Sequence, residues 1–215
     1  MQPAGNGEGR TRWGDRVGRR RDILRAAADL LEHEGYDAFN VRRIASGAGV
    51  SPATLYSYFP NKSEIFATLM IQRFADFRLM LDQLEQRENG ATRSIEELVA
   101  AVMPELVDLY RHFGRHIHEW THGEEERSPT VSSTKSAFVD ATTALERMLR
   151  SAARNEGIEL DAGPLVMPFV WSTLFGVADH HGTNMPGTLG YKRDELTRYA
   201  ARALTRGLAL EGRDR

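Results

Sequence analysis

The chain has no cysteine among its 215 residues. That absence excludes disulfide scaffolds, thiolate zinc sites and cysteine nucleophiles, and it fits a reducing compartment. Long apolar runs are missing as well. The greasiest stretch, residues 164–178, contains Ser172 and Thr173 and stops at Asp179, too short to cross about 30 Å of hydrocarbon. Nor is there a surplus of charge: 28 Lys and Arg stand against 30 Asp and Glu, a formal net charge of -2. A protein that coats nucleic acid or membrane with its whole surface is therefore not expected. Arg19, Arg20 and Arg21 form a run like a twin-arginine export signal, but Asp22 follows and no apolar core comes after it. The expectation is a soluble, cytoplasmic protein with no membrane partner.

What the chain has is an uneven spread of charge. Residues 1–62 hold 10 Lys and Arg against 7 Asp and Glu, and the remainder is acidic, so only one end is expected to meet an anionic partner. With 41% apolar and 27% charged residues, wholesale disorder is excluded. The length suits two small domains.

Residues 1–15 are polar and glycine-rich without periodicity and read as a mobile arm. From Asp22 the pattern is helical, with Ile23, Ala27, Leu30 and Leu31 on one face and Gly35 placed to cap the end. Asn40 can cap a second short helix carrying Val41, Ile44 and Ala45, which stops near Gly47-Ala48-Gly49. Ser51 followed by Pro52 starts a third, and Pro60 after Phe59 keeps it short. Residues 62–87 read as one long amphipathic helix. A helical run over 95–121 has Pro104 and Gly114 inside it, which predicts a kink or a split. Residues 123–129 read as an exposed loop, and 133–155, 164–180 and 193–210 as three further helices. No segment alternates with period two. The chain is all-α.

Three short helices in 40 residues, the last two joined by a tight glycine-containing turn, describe a helix-turn-helix unit. Its second helix must be slim and polar on one side to enter a major groove about 12 Å wide. Residues 51–59 meet that need: Leu55 and Phe59 can anchor inward while Ala53, Thr54, Ser57 and Tyr58 face out.

Residues 22–66, DILRAAADLLEHEGYDAFNVRRIASGAGVSPATLYSYFPNKSEIF, resemble the DNA-binding domain of the tetracycline-repressor (TetR) family. The resemblance rests on Ile44-Ala45, Ala48-Gly49-Val50-Ser51, Thr54-Leu55-Tyr56, Tyr58-Phe59 and Asn61-Lys62. It implies an N-terminal helix-turn-helix domain followed by a larger helical ligand-binding and dimerisation domain, which we place at 19–64 and 65–215 behind a basic arm at 1–18. It implies that Tyr56 and Lys62 hold phosphates with Thr54 nearby, and that Arg42 reaches a base edge or phosphate. Pro52, Ala53 and Ser57 would lie closest to the bases, beside Ser51. Direct readout looks sparse, since Ala53 can offer only a thymine methyl contact. The plainer alternatives are a core tyrosine at Tyr56, a solvated lysine at Lys62 and a solvated face at Arg42 and Arg43. Arg10, Arg12, Arg16, Arg19, Arg20 and Arg21 suit either minor-groove threading or a non-specific basic tail.

Paired half-sites need a two-fold dimer, and the resemblance implies that the last two long helices form its interface. The sequence supports this with one stripe of Leu196, Tyr199, Ala200, Ala203 and Leu204, and another of Leu165 and Phe169 with Ser172 and Gly176. Intramolecular packing is the alternative use of both stripes. Between head and interface the family encloses a ligand cavity. Met103, Tyr110, Phe113, Trp120, Phe138, Met148, Met167 and Trp171 are candidates to line it, implying an unidentified apolar or aromatic effector. The expected partners are double-stranded operator DNA, a second copy of the chain and that effector, with no cofactor.

His118-Glu119-Trp120-Thr121-His122 matches the zinc-peptidase pattern His-Glu-x-x-His, and His112 and His116 add a second pair four residues apart. A third ligand is unassigned, Gly123 follows at once, and so short a pattern arises by chance in a histidine-rich stretch. We read the histidines as non-catalytic. A metal-responsive regulator using His112, His116, His118 and His122 is the alternative within the same fold, and a zinc hydrolase the alternative from another class. The expectation is a ligand-responsive regulator, a repressor and not an enzyme.

Overall fold

The computed structural model describes residues 15–87, 94–122, 129–183 and 185–210. Helix α1 spans Arg16–Glu34 and begins earlier than its apolar pattern suggests. The reason is Asp15, whose carboxylate accepts the Gly18 N–H at 2.8 Å and caps the helix. Arg16, Arg19, Arg20 and Arg21 therefore lie on a helix rather than in a loose arm. The helix ends at Gly35, which takes φ 75° and donates its N–H to the Leu31 carbonyl. A single 3₁₀ turn, Tyr36–Ala38, leads to α2 (Val41–Gly47) and α3 (Pro52–Tyr56).

Helix α4 (Lys62–Arg87) runs from one compact unit into the next. The first unit ends at Leu69, beyond the expected boundary at 64. Phe66 explains the difference: its ring meets Tyr36 and Phe39 edge-on at 5.0 and 5.9 Å, so the start of α4 completes the first core. Ile23, Ala27, Ile44, Leu55 and Phe59 are buried there too. Leu30 is only half-buried.

The second unit comprises the rest of α4 with α5 (Ile95–His122), α6 (Pro129–Asn155), α7 (Val166–Gly182), α8 (Met185–Leu189) and α9 (Arg193–Leu208). Helix α5 packs against α6, α7 and α9. It buries Leu98, Val102, Leu106, Leu109 and Phe113 along one face, the spacing that makes it a core helix. It does not split. Pro104 sits on an exposed position, and Gly114 makes room for the Tyr110 ring, whose Cδ2 would lie 2.6 Å from an added Cβ. The segment after α6 is tied to the end of α9 by Asp161 N–H donating to Leu208 O at 2.9 Å and Leu210 N–H donating to Glu159 O at 2.8 Å. Among the described residues no helix is long and apolar enough to cross a membrane.

Candidate nucleic-acid interface

The turn between α2 and α3 is built from local hydrogen bonds. Asn40 caps α2 by accepting the Arg43 N–H at 3.0 Å. Ala48 N–H donates back to Ile44 O and Val50 N–H to Ala45 O, each at 2.9 Å, while Gly49 adopts φ 65° between them. Ser51 Oγ accepts the Thr54 N–H at 3.0 Å, and Pro52 occupies the first helical position at no hydrogen-bond cost. Leu55 and Phe59 point inward at 0% and 2% exposure, which fixes the opposite face of α3 outward.

On that outward face Ser51, Pro52, Ala53, Thr54, Tyr56 and Ser57 are all exposed. Tyr56 is 52% exposed, which rules out the core-tyrosine alternative. The Ser57 hydroxyl donates to Thr54 O at 2.6 Å, leaving oxygen lone pairs but no free proton for an outside partner. Lys62 is exposed at the start of α4, its Nζ 4.9 Å from the centre of the Tyr36 ring. That contact holds the ammonium beside a helix N-terminus, where anions bind. The two adjacent arginines differ. Arg43 is committed to Glu34, whereas Arg42 is exposed with no ion pair or hydrogen bond among the described residues.

Two of the arginines expected either to thread a minor groove or to form a basic tail are instead held against rings of the first unit. The Arg16 guanidinium lies over the Tyr58 ring at 5.6 Å and Arg20 over Phe59 at 4.7 Å. The signal was present in the Asp15 cap and the four-residue spacing of the two arginines.

The nominated pocket residues do not come together as one wall. Phe138 and Trp171, 5.3 Å apart, belong to a packed ring ladder with Phe74 and Phe175, and Tyr110 joins through Phe175 at 6.1 Å. The Trp171 indole N–H donates to Thr142 Oγ1 at 3.0 Å, so its polar edge is satisfied. Phe113, Met148 and Met167 are buried, and Trp120 lies outside the described side chains. Met103 has a different setting: with Ala100, Pro104 and Val107 it floors an open groove of about 720 Å³ between α5 and α9.

The nominated interface stripes divide. Leu165, Phe169 and Tyr199 are exposed at 75%, 49% and 67%, and Ala203 is exposed with them. Ala200 and Leu204 instead face inward at 5% and 1%, and Leu196 is half-buried. These inward residues fill the chain's own core, so the interface assignment is corrected for Ala200 and Leu204. An added Cβ on Gly207 would lie 3.9 Å from Phe169 Cε1, so the exposed faces of α7 and α9 adjoin.

His112 is buried; its Nδ1 lies 2.8 Å from Asp108 O, and Nε2 has no partner among the described residues. The side chains of His116, His118, Glu119 and His122 lie outside the described residues. His180 Nδ1 lies 2.6 Å from Tyr191 Oη. His181 Nε2 reaches Arg193 O at 3.1 Å and Thr197 Oγ1 at 3.0 Å, clasping the end of α7 to the start of α9. Burial is the main force lowering the His181 pKa below the usual imidazole range, with the Arg193 charge adding to it.

Together these features define an all-α protein with a helix-turn-helix head and a helical second unit. Residues 23–69 match the family model of bacterial regulatory proteins, tetR family. It is similar to the fatty acid metabolism regulator protein of Bacillus subtilis, 29% identical over 80 residues, which cover 37% of this chain and 40% of that protein's length. In structure it is similar to a Rhodococcus protein of unknown function, with TM-score 0.64, 22% identity and coverage of 89% of this chain and 96% of the other. It is also similar to the regulator FadR of Bacillus subtilis in complex with stearoyl-CoA, with TM-score 0.58, 19% identity and coverage of 87% and 98%.

Proposed function

We propose that the protein is a ligand-responsive transcriptional repressor that binds a palindromic operator as a homodimer and is released by a small effector with an apolar or aromatic body. The observation that carries the DNA reading is the outward face of α3, where Tyr56 stands exposed and Lys62 lies beside the next helix start. The exposed large apolar side chains Leu165 and Phe169 on α7 and Tyr199 on α9 support the dimer, since exposed apolar surface of this kind marks association sites. The stearoyl-CoA held by the similar FadR supports an effector with an apolar body. Release requires the effector to favour the DNA-free state, because equal affinity for both states shifts nothing. Selection of bound duplexes from a random pool tests the reading. An inverted repeat bound by two copies is expected, and enrichment of a single unpaired site would overturn the dimeric mechanism.

A second reading, a metal-responsive regulator, is favoured by His112 alone. Its Nδ1–H is held by a backbone carbonyl and Nε2 has no partner among the described residues, the orientation a metal-bound imidazole uses. Zinc titration by calorimetry on the full chain decides it: stoichiometric binding lost in His112→Ala supports it, and heatless titration removes it.

A further inference from the structure

The groove between α5 and α9 has a composition that selects a ligand. Its α5 wall carries Glu96, Glu97, Ala100, Met103, Pro104 and Val107, a stripe about 16 Å long with both carboxylates at one end and an apolar floor beyond them. Across from it stand His181, Arg193, Asp194, Thr197 and Arg198. The volume of about 720 Å³ suits a drug-sized molecule.

The polar groups are not equally available. Arg198 is matched by Asp194 at 2.9 Å. Arg193 spends Nε on the His181 carbonyl at 3.0 Å and Nη2 on the Thr183 carbonyl at 3.4 Å. Thr197 donates to Arg193 O, and His181 Nε2 is engaged by the same carbonyl. Unmatched acceptors lie on the opposite wall. Glu96 has no ion pair or hydrogen bond among the described residues, and Glu97 uses one oxygen on the Ser94 N–H. An apolar floor with unmatched carboxylate oxygens at one end complements a molecule with an apolar body and a protonated amine.

We propose that this groove binds an amphipathic amine, its ammonium at Glu96 and its apolar body over Met103, Pro104 and Val107. That such a molecule is also the effector rests on the release mechanism above.

Calorimetry on the full chain with phenylbutylamine, phenylbutanol and phenylbutyrate, which share one body and differ in head group, tests the proposal. The amine is expected to bind about fivefold tighter than the acid, the scale of one partly exposed ion pair. Glu96→Gln should abolish that preference and leave the alcohol unchanged. Ala100→Trp, or Val107→Trp if the first variant melts early, should weaken all three by filling the groove. Equal or tighter binding of the acid, no binding by any of the three, or amine affinity indifferent to Glu96→Gln and to both tryptophans would each overturn it. Operator binding is measured in parallel. Amine seated in the groove with operator affinity unchanged keeps the site and rejects release; release by a compound indifferent to these substitutions keeps release and rejects the site.

Discussion

At the residue scale, exposure and commitment separate side chains that look alike in the sequence. Arg42 and Arg43 are neighbours of one type, yet Glu34 neutralises only the second. Lys62 is set over Tyr36 beside a helix N-terminus. Lys62→Ala should therefore weaken DNA binding about equally on all duplexes and flatten the dependence of log K on log salt by about 0.9. Anisotropy titrations across a salt series measure both, and an unchanged slope would remove Lys62 from the phosphate contacts. His181 gives a pH dependence of stability. Its folded pKa lies below the ordinary imidazole value, so in that window the unfolded chain binds more protons than the folded one. Its contribution is present above the ordinary value and is lost as pH falls towards the folded one. Thermal melts from neutral to mildly acidic pH should fall less steeply in His181→Gln than in the parent chain. Parallel curves would show that the clasp to Arg193 and Thr197 carries no proton linkage.

At the element scale, the head was legible because its signals are local. Caps at Asn40 and Ser51, Pro52 at a helix start and glycine in the turn act within three or four residues, and each sits where those patterns put it. Gly49 holds a left-handed backbone, so Gly49→Ala should cost about 1–2 kcal/mol in urea unfolding. A loss near zero would mean that the turn relaxes around a side chain. Elements with non-local support were harder to read. Helix α5 passes through Pro104 unbroken because its apolar face is held by α6, α7 and α9, and packing outweighs one missing hydrogen bond. Helix α8 went unseen, since five residues that include Pro186 and Gly187 have no helical period to read.

At the scale of the whole molecule, the exposed apolar face of α7 and α9 is the feature with the largest consequence. If the proposed dimer forms through this face, introducing charge there with Phe169→Asp and Tyr199→Asp should convert it to monomer in analytical ultracentrifugation and make operator binding depend steeply on protein concentration. A variant that stays dimeric would move the interface elsewhere. The sequence by itself determined the helical class, the position of the helix-turn-helix and the face of α3 turned outward, because caps, turns and helical periodicity are short-range. Only the tertiary structure decided how longer stripes are shared between core and surface. Tyr199 and Ala203 lie at one edge of an α9 stripe and face out, while Ala200 and Leu204 lie at the other and are buried. Periodicity defines such a stripe but not which edge meets a neighbour. The same holds for the candidate ligand groove. Aromatic content pointed to rings that satisfy one another in a ladder, whereas open space formed where α5 and α9 leave Met103 and Pro104 against an unmatched carboxylate. A groove is a gap between elements distant in the chain, and it exists only once they pack.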